Sequence, residues 1–184
     1  MKNLALFDLD GTLFNTTKVN YHAYNEALKE KGYSIDYTYY SNYCNGRHYN
    51  DFLPEIVDNN EKTIEYIHKR KKELYSSYLD KAKINSHLFN IIESLKETYY
   101  IGIVTTASKK NTHDILNYFN KLELFDLILT SDDITKLKPD PEGYIKAMKY
   151  FKIEPENTII FEDSEVGIKA AKASKATVFV VNKF

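Results

Sequence analysis

Apolar and polar positions along this chain follow two different rhythms. Leu4-Ala5-Leu6-Phe7 is a four-residue apolar run that reads as a buried strand. From about residue 15 to residue 83 the spacing is helical. Val19, Ala23, Ala27 and Leu28 lead to a stop at Gly32, and Phe52, Leu53, Ile56 and Val57 mark a second helix. Ile64, Ile67, Leu74, Tyr75, Tyr78 and Leu79 predict one longer, lysine-rich helix. Residues 33–50 between them are polar and aromatic, with Asn45-Gly46 as a loop signal, and no strand is expected anywhere in 15–83.

After residue 84 the rhythm alternates. Leu88, Ile91, Ile92 and Leu95 form a helix face, Tyr99 to Val104 a strand, and Ile115-Leu116 with Tyr118-Phe119 the next helix. Leu127-Ile128-Leu129 reads as a short strand, and Pro141 opens a helix through Met148 and Tyr150. Thr158 to Phe161 is a strand, Val166 to Ala171 a short helix, and Thr177 to Val181 the last strand. Alternating strands and helices predict a three-layer α/β/α, Rossmann-like core around a parallel sheet. The expected division is a core made of residues 1–14 and 84–184, interrupted after the first strand by an all-helical insert of residues 15–83.

Composition narrows the setting. Twenty-five basic and 26 acidic residues leave a net charge of −1, which argues against a nucleic-acid or anionic-membrane footprint. No apolar stretch nears the roughly 20 residues that span a bilayer, and the N-terminal apolar run is too short for a signal peptide. A single cysteine, Cys44, excludes an internal disulfide framework and suits a reducing compartment. These features predict a cytoplasmic protein, a monomer or at most a weak dimer, without nucleic-acid or membrane partners.

Chemistry enters at the strand ends, where open parallel sheets bind ligands. Asp8-Leu9-Asp10-Gly11 sets two carboxylates two residues apart just past the first apolar run. Such a pair repels unless a cation or a shared proton intervenes. A competing reading is a β-hairpin, because Asp-Gly between apolar residues is a strong turn signal. The later strand ends carry Thr105-Thr106, Asp132-Asp133 and Glu162-Asp163, and Lys138 stands in Leu137-Lys138-Pro139-Asp140-Pro141. Taken singly, a threonine or Asp163-Ser164 reads as a helix cap, Asp132-Asp133 as a capping pair and Lys138 as a surface lysine. Together, and in this order, they supply the parts of a phosphoryl-transfer site. Asp8 serves as nucleophile or metal ligand, Asp10 as acid and base, Thr105 and Lys138 as phosphate holders, and Asp163 with Glu162 as hard oxygen ligands suited to Mg²⁺.

At these residues the chain resembles the haloacid dehalogenase-like hydrolases, in their phosphatase and phosphomutase branch. The resemblance rests on Asp8-Leu9-Asp10-Gly11-Thr12, on the strand closing at Thr105, on Lys138 before Pro139, and on Phe161-Glu162-Asp163-Ser164 followed by Gly167-Ile168 and Ala170-Ala171. It implies that Asp8 is phosphorylated and that Asp10 is the acid/base and lends its main-chain carbonyl to Mg²⁺. It further implies that Asp8, Asp10 and Asp163 hold the metal, with Glu162 beside them, and that Thr105 or its neighbour Thr106, with Lys138, holds the phosphoryl oxygens. The insert resembles that family's small mobile cap, with Arg47 where such caps present a specificity residue. A surface arginine is its plain alternative. His22 and His48 are read as structural or solvated rather than catalytic. Two departures concern substrate rather than chemistry: Asn15 replaces a frequent aspartate, and Asn85-Ser86 a frequent Pro-Gly.

The expected function is a Mg²⁺-dependent phosphatase acting on a small phosphorylated metabolite through an aspartyl phosphate. The alternatives are a sugar phosphomutase with the same intermediate and a non-catalytic, phospho-accepting signalling module. Asp10 speaks against the carbon-attacking dehalogenases, which lack that second acid.

Overall fold

The computed structural model describes residues 2–182, and the chain divides into two compact units: Met1–Asn15 with Ile84–Phe184, and Thr16–Lys83. Among the described residues, no helix is long and apolar enough to cross a membrane.

In the first unit β1 (Asn3–Phe7) is the central strand of a five-stranded sheet. The other sheet strands are β4 (Tyr99–Val104), β5 (Leu127–Leu129), β6 (Thr158–Glu162) and β7 (Thr177–Val180), in the order β5-β4-β1-β6-β7. Every pairing is parallel, so helices must carry the chain back between strands. These are α5 (Ser86–Leu95), α6 (Lys109–Tyr118), α7 (Glu142–Phe151) and α8 (Glu165–Ala173). Two further short strands, β2 (Phe14–Asn15) and β3 (Lys83–Ile84), form a separate two-stranded sheet. They are too short to leave an alternation in the sequence, so none was expected there.

Both faces of the central strands β1, β4 and β6 are largely buried, which is why they read as unbroken apolar runs, while β7 at the sheet edge is mostly exposed. On one face Leu4, Leu6, Val104 and Ile160 pack with Tyr144, Ala147 and Met148 of α7 and Ala170 and Ala171 of α8. On the other, Ala5, Phe7, Ile101 and Ile103 are fully buried. Phe7, Phe161 and Phe179 stack there across three neighbouring strands, with ring centroids 4.6 and 5.2 Å apart.

The parallel neighbours of β1 exclude the hairpin reading of Asp10-Gly11. Instead the chain closes a tight turn: Leu13 and Phe14 N–H both donate to Leu9 O at 3.0 Å, and Gly11 N–H donates to Phe14 O at 2.8 Å. Gly11 takes φ +98°, open to glycine and strained for other residues.

The second unit is helical: α1 (Thr17–Lys29), α2 (Tyr37–Tyr39), α3 (Leu53–Ile56) and α4 (Glu61–Leu74). Its core gathers Tyr24, Ala27, Leu28, Phe52, Leu53, Val57, Ile64 and Ile67. Within residues 33–50, α2 runs into a π turn at Tyr40–Cys44 and a 3-10 turn follows at Tyr49–Asp51. One expectation is corrected here. The long helix leaves α geometry at Tyr75 and continues to Lys81 as 3-10 helix. Ser76 and Ser77, which compete for backbone hydrogen bonds, stand at that change.

His68 of α4 stacks on Tyr49 with ring centroids 3.7 Å apart, and its buried Nδ1 has no hydrogen-bond partner among the described residues. Burial, with Lys72, Lys71 and His48 nearby, lowers its pKa from 6.5 to about 4. The folded state therefore binds this proton less readily than the unfolded chain, and stability falls as pH drops from 6.5 towards 4. We expect His68→Phe to flatten this acid limb, so that its urea midpoint gains on the wild type between pH 7 and pH 5. A constant difference across that range would show that His68 is not the titrating group.

Candidate functional site

The sheet register brings the acids together. Phe7 pairs with Phe161 and with Ile103, so Asp8 stands level with Glu162 on one side and Val104 on the other. Asp8 N–H continues the ladder to Phe161 O at 3.0 Å, holding the first acid as an extension of β1. Asp163 follows β6 directly, and Thr105 follows β4.

Lys138 crosses from the loop before α7. Its ammonium lies 2.6 Å from Asp8 Oδ1 and 2.5 Å from Glu162 Oε1, with the lysine side chain only 5% exposed. It is therefore not the surface lysine that its surroundings in the sequence suggest. Glu162 is wholly buried, and all of its bonding capacity is directed. Oε1 accepts from Lys138 and, at 3.0 Å, from the Tyr144 hydroxyl. Oε2 accepts from the main-chain N–H of Asp163 at 2.9 Å and of Ser164 at 3.1 Å, and from Ser164 Oγ at 3.2 Å. Ser164 also caps α8, accepting from Gly167 N–H at 3.1 Å. Asp163 accepts from Thr12 Oγ1 at 2.9 Å.

Burial lifts the Asp8 pKa well above the usual carboxylate range; Lys138 opposes the shift and Glu162 adds to it. Burial likewise lifts Asp163 to about 6, with the Thr12 hydrogen bond pulling the other way. Burial disfavours the Lys138 ammonium, but Asp8, Tyr144 and Glu162 outweigh it and hold its pKa well above the ordinary lysine value. One cation thus faces several buried acids, the arrangement in which a further cation is most welcome.

Oxygens of Asp8, Glu162 and Asp163 lie within 4.8 Å of one another, close enough to share an ion. Hard carboxylate oxygens suit a divalent cation of the Mg²⁺ kind. Because the oxygens of Glu162 already take five donors, Asp8 and Asp163 are the better placed of the three to ligate, with Glu162 holding Lys138 beside them.

The remaining expected residues are spread more widely. Asp10 is half-buried at the turn after β1. Thr105 is buried and fixed: its N–H donates to Leu129 O at 2.9 Å, and its Oγ1 accepts from Ala107 N–H at 3.1 Å, which leaves the hydroxyl proton to donate. Thr106 is exposed. Arg47 lies in the other unit, where its guanidinium donates to Tyr43 O at 2.9 Å and Asp51 O at 2.6 Å. His48 and His22 make local contacts, His48 capping the turn at Tyr49 and His22 stacking on Tyr78. Asp132 and Asp133 are capping residues, accepting from Lys109 N–H and from Thr130.

Sequence reasoning passed over Tyr144 and gave Thr12 no task. Tyr144 shares an α7 face with Ala147 and Met148, and a tyrosine in such a stripe reads as core. Its hydroxyl among aliphatic neighbours was the available signal, since a buried tyrosine O–H needs a partner.

The haloacid dehalogenase-like hydrolase family model matches residues 5–181. The chain is 31% identical to validoxylamine A 7'-phosphate phosphatase from Streptomyces hygroscopicus subsp. limoneus, over 98% of this chain and 85% of that protein. It is 26% identical to phosphorylated carbohydrates phosphatase from Thermotoga maritima, over 92% and 80%. Among solved structures, CbbY from Rhodobacter sphaeroides in complex with phosphate superposes with a TM-score of 0.86 at 24% identity, covering 100% of this chain and 88% of that one.

Two glycines make room for these acids. A Cβ at Gly11 would overlap the Asp163 carboxylate, and one at Gly167 would overlap that of Glu162. Gly167→Ala must displace a buried, five-fold hydrogen-bonded group, and overpacking of this kind costs about 1–3 kcal/mol. We expect a drop of that size in urea unfolding, with loss of the Lys138–Glu162 contact in a crystal structure of the variant. Wild-type stability would mean that Glu162 moves freely.

Proposed function

Because this chain belongs to the haloacid dehalogenase-like hydrolase family, we propose that it is a Mg²⁺-dependent phosphatase that hydrolyses a small phosphorylated metabolite through a phosphoaspartate on Asp8. The observation that carries this reading is the buried contact of Lys138 Nζ with Asp8 Oδ1 at 2.6 Å, beside a second and third carboxylate from Glu162 and Asp163.

In this reading an Asp8 oxygen attacks phosphorus and the bond to the leaving oxygen breaks, while Asp10 gives that oxygen its proton. Asp10 then takes a proton from water, whose oxygen attacks phosphorus. The bond to Asp8 breaks, which restores the carboxylate and releases inorganic phosphate. Lys138 holds Asp8 and the phosphoryl oxygens together, and the Thr105 hydroxyl donates to one of them. Asp8, Asp163 and the Asp10 carbonyl would hold the divalent cation, which would supply charge neutralisation at the phosphoryl oxygens. The fixed, buried hydroxyl of Thr105 favours it over the exposed Thr106. Residues 15–83 are proposed as the substrate-selecting cap, with Arg47 as its candidate contact to an anionic substrate. Both named relatives are phosphatases, which supports hydrolysis over the intramolecular transfer of a mutase.

Hydrolysis of p-nitrophenyl phosphate tests this reading. Asp8→Asn is expected to lower kcat by on the order of 10⁴, and chelation to remove activity that Mg²⁺ restores. Wild-type turnover by the variant would overturn the nucleophile, and full activity in chelator would overturn the metal. Release of free phosphate from hexose 1-phosphates, rather than hexose 6-phosphate, separates phosphatase from mutase.

A further inference from the structure

Tyr144 is a large, buried polar side chain that meets the Lys138–Glu162 pair from α7. It is 1% exposed, its hydroxyl donates to Glu162 Oε1 at 3.0 Å, and Lys138 Nζ lies 5.2 Å from its ring centroid. Glu162 Oε1 is also the oxygen that Lys138 contacts, and Lys138 divides its ammonium between that oxygen and Asp8 Oδ1, at 2.5 and 2.6 Å. Two donors thus share one acceptor, and one donor shares two acceptors.

That sharing has a direction. A carboxylate oxygen that already receives a hydroxyl proton attracts a second donor less strongly, because part of its negative charge is engaged. Remove the hydroxyl, and Glu162 Oε1, on a side chain with no solvent exposure, is left with Lys138 as its only donor among the described residues. The ammonium is then drawn towards Glu162 and away from Asp8. Gly143, the preceding residue, packs against Val104 so closely that a Cβ there would meet it at 2.7 Å, which seats this turn of α7 firmly on the sheet.

We propose that Tyr144 is a positioning residue: by donating to Glu162 it balances Lys138 between Glu162 and Asp8, and so holds the ammonium where the phosphoryl group arrives. This deepens the phosphatase reading and rests on it. Tyr144 touches no reacting atom, so its effect falls on turnover more than on substrate capture.

The test pairs kinetics with structure. Tyr144→Phe keeps the ring and deletes the donor. We expect kcat for p-nitrophenyl phosphate to fall about tenfold, the scale of one hydrogen bond to a charged group, with KM changed less than about twofold. In a crystal structure of the variant, Lys138 Nζ should lie beyond about 3.5 Å from Asp8 Oδ1, outside hydrogen-bond range. 3-Fluorotyrosine and 2,3,5-trifluorotyrosine at position 144 grade the donor without deleting it, and they keep the test open should the phenylalanine protein not fold. There kcat should change steadily with donor acidity at constant KM. An unchanged Lys138–Asp8 distance, or a flat kcat across the series, would overturn the proposal. The crystallographic reading needs no activity, so it decides Tyr144's role even if Asp8→Asn shows that the phosphatase reading itself has failed.

Discussion

The buried ammonium of Lys138 is the contact on which the core site depends. Glu162 has no solvent access and Asp8 has almost none. Two such carboxylates one strand apart repel each other, and burial amplifies that repulsion. Lys138 lies within 2.6 Å of both. Without it the register that places Asp8 beside Glu162 would be held against charge, because removing one partner leaves an uncompensated buried charge. The parallel pairing of β1 with β6, the turn at Gly11 and the cap of α8 all converge on a geometry that this one cation makes tolerable.

The surrounding residues divide the labour of holding that geometry. Ser164 and the Asp163 N–H fix one oxygen of Glu162, and Tyr144 shares the other with Lys138. Thr12 fixes Asp163 from the turn that Gly11 allows. The glycines at 11 and 167 are thus part of the site, since the space a Cβ would take belongs to its two acids. Asp8, Thr105 and Asp163 stand at the carboxyl ends of β1, β4 and β6, the edge at which open parallel sheets bind ligands.

Much of this was legible in order along the chain. The central strands of the core are short, unbroken apolar runs because both of their faces are covered, and such runs announce themselves. β1, β4 and β6 end in polar residues, so Asp8, Thr105 and Asp163 could be named before any coordinate, and Lys138 by its place before Pro139. The helical insert was legible from spacing, but not its π turn at Tyr40–Cys44 or the change to 3-10 geometry at Tyr75. Those depend on how α1, α4 and the turns between them share one core, and propensity is too weak to anticipate it.

What the sequence determined by itself is local: element type, strand ends, and acids two residues apart beside a glycine turn. Partnership was decided by the tertiary structure. Lys138 and Asp8 are 130 residues apart, and Thr12 and Asp163 are 151 apart. Nothing in a lysine before a proline, or a tyrosine in an apolar stripe, says which carboxylate it will meet. Only the parallel register of β1 with β6 brings Asp8 level with Glu162. Only the packing of α7 on the sheet delivers Tyr144 to the same oxygen as Lys138. A side chain's charge is written in its residue type, but the burial that gives that charge its strength is a property of the fold.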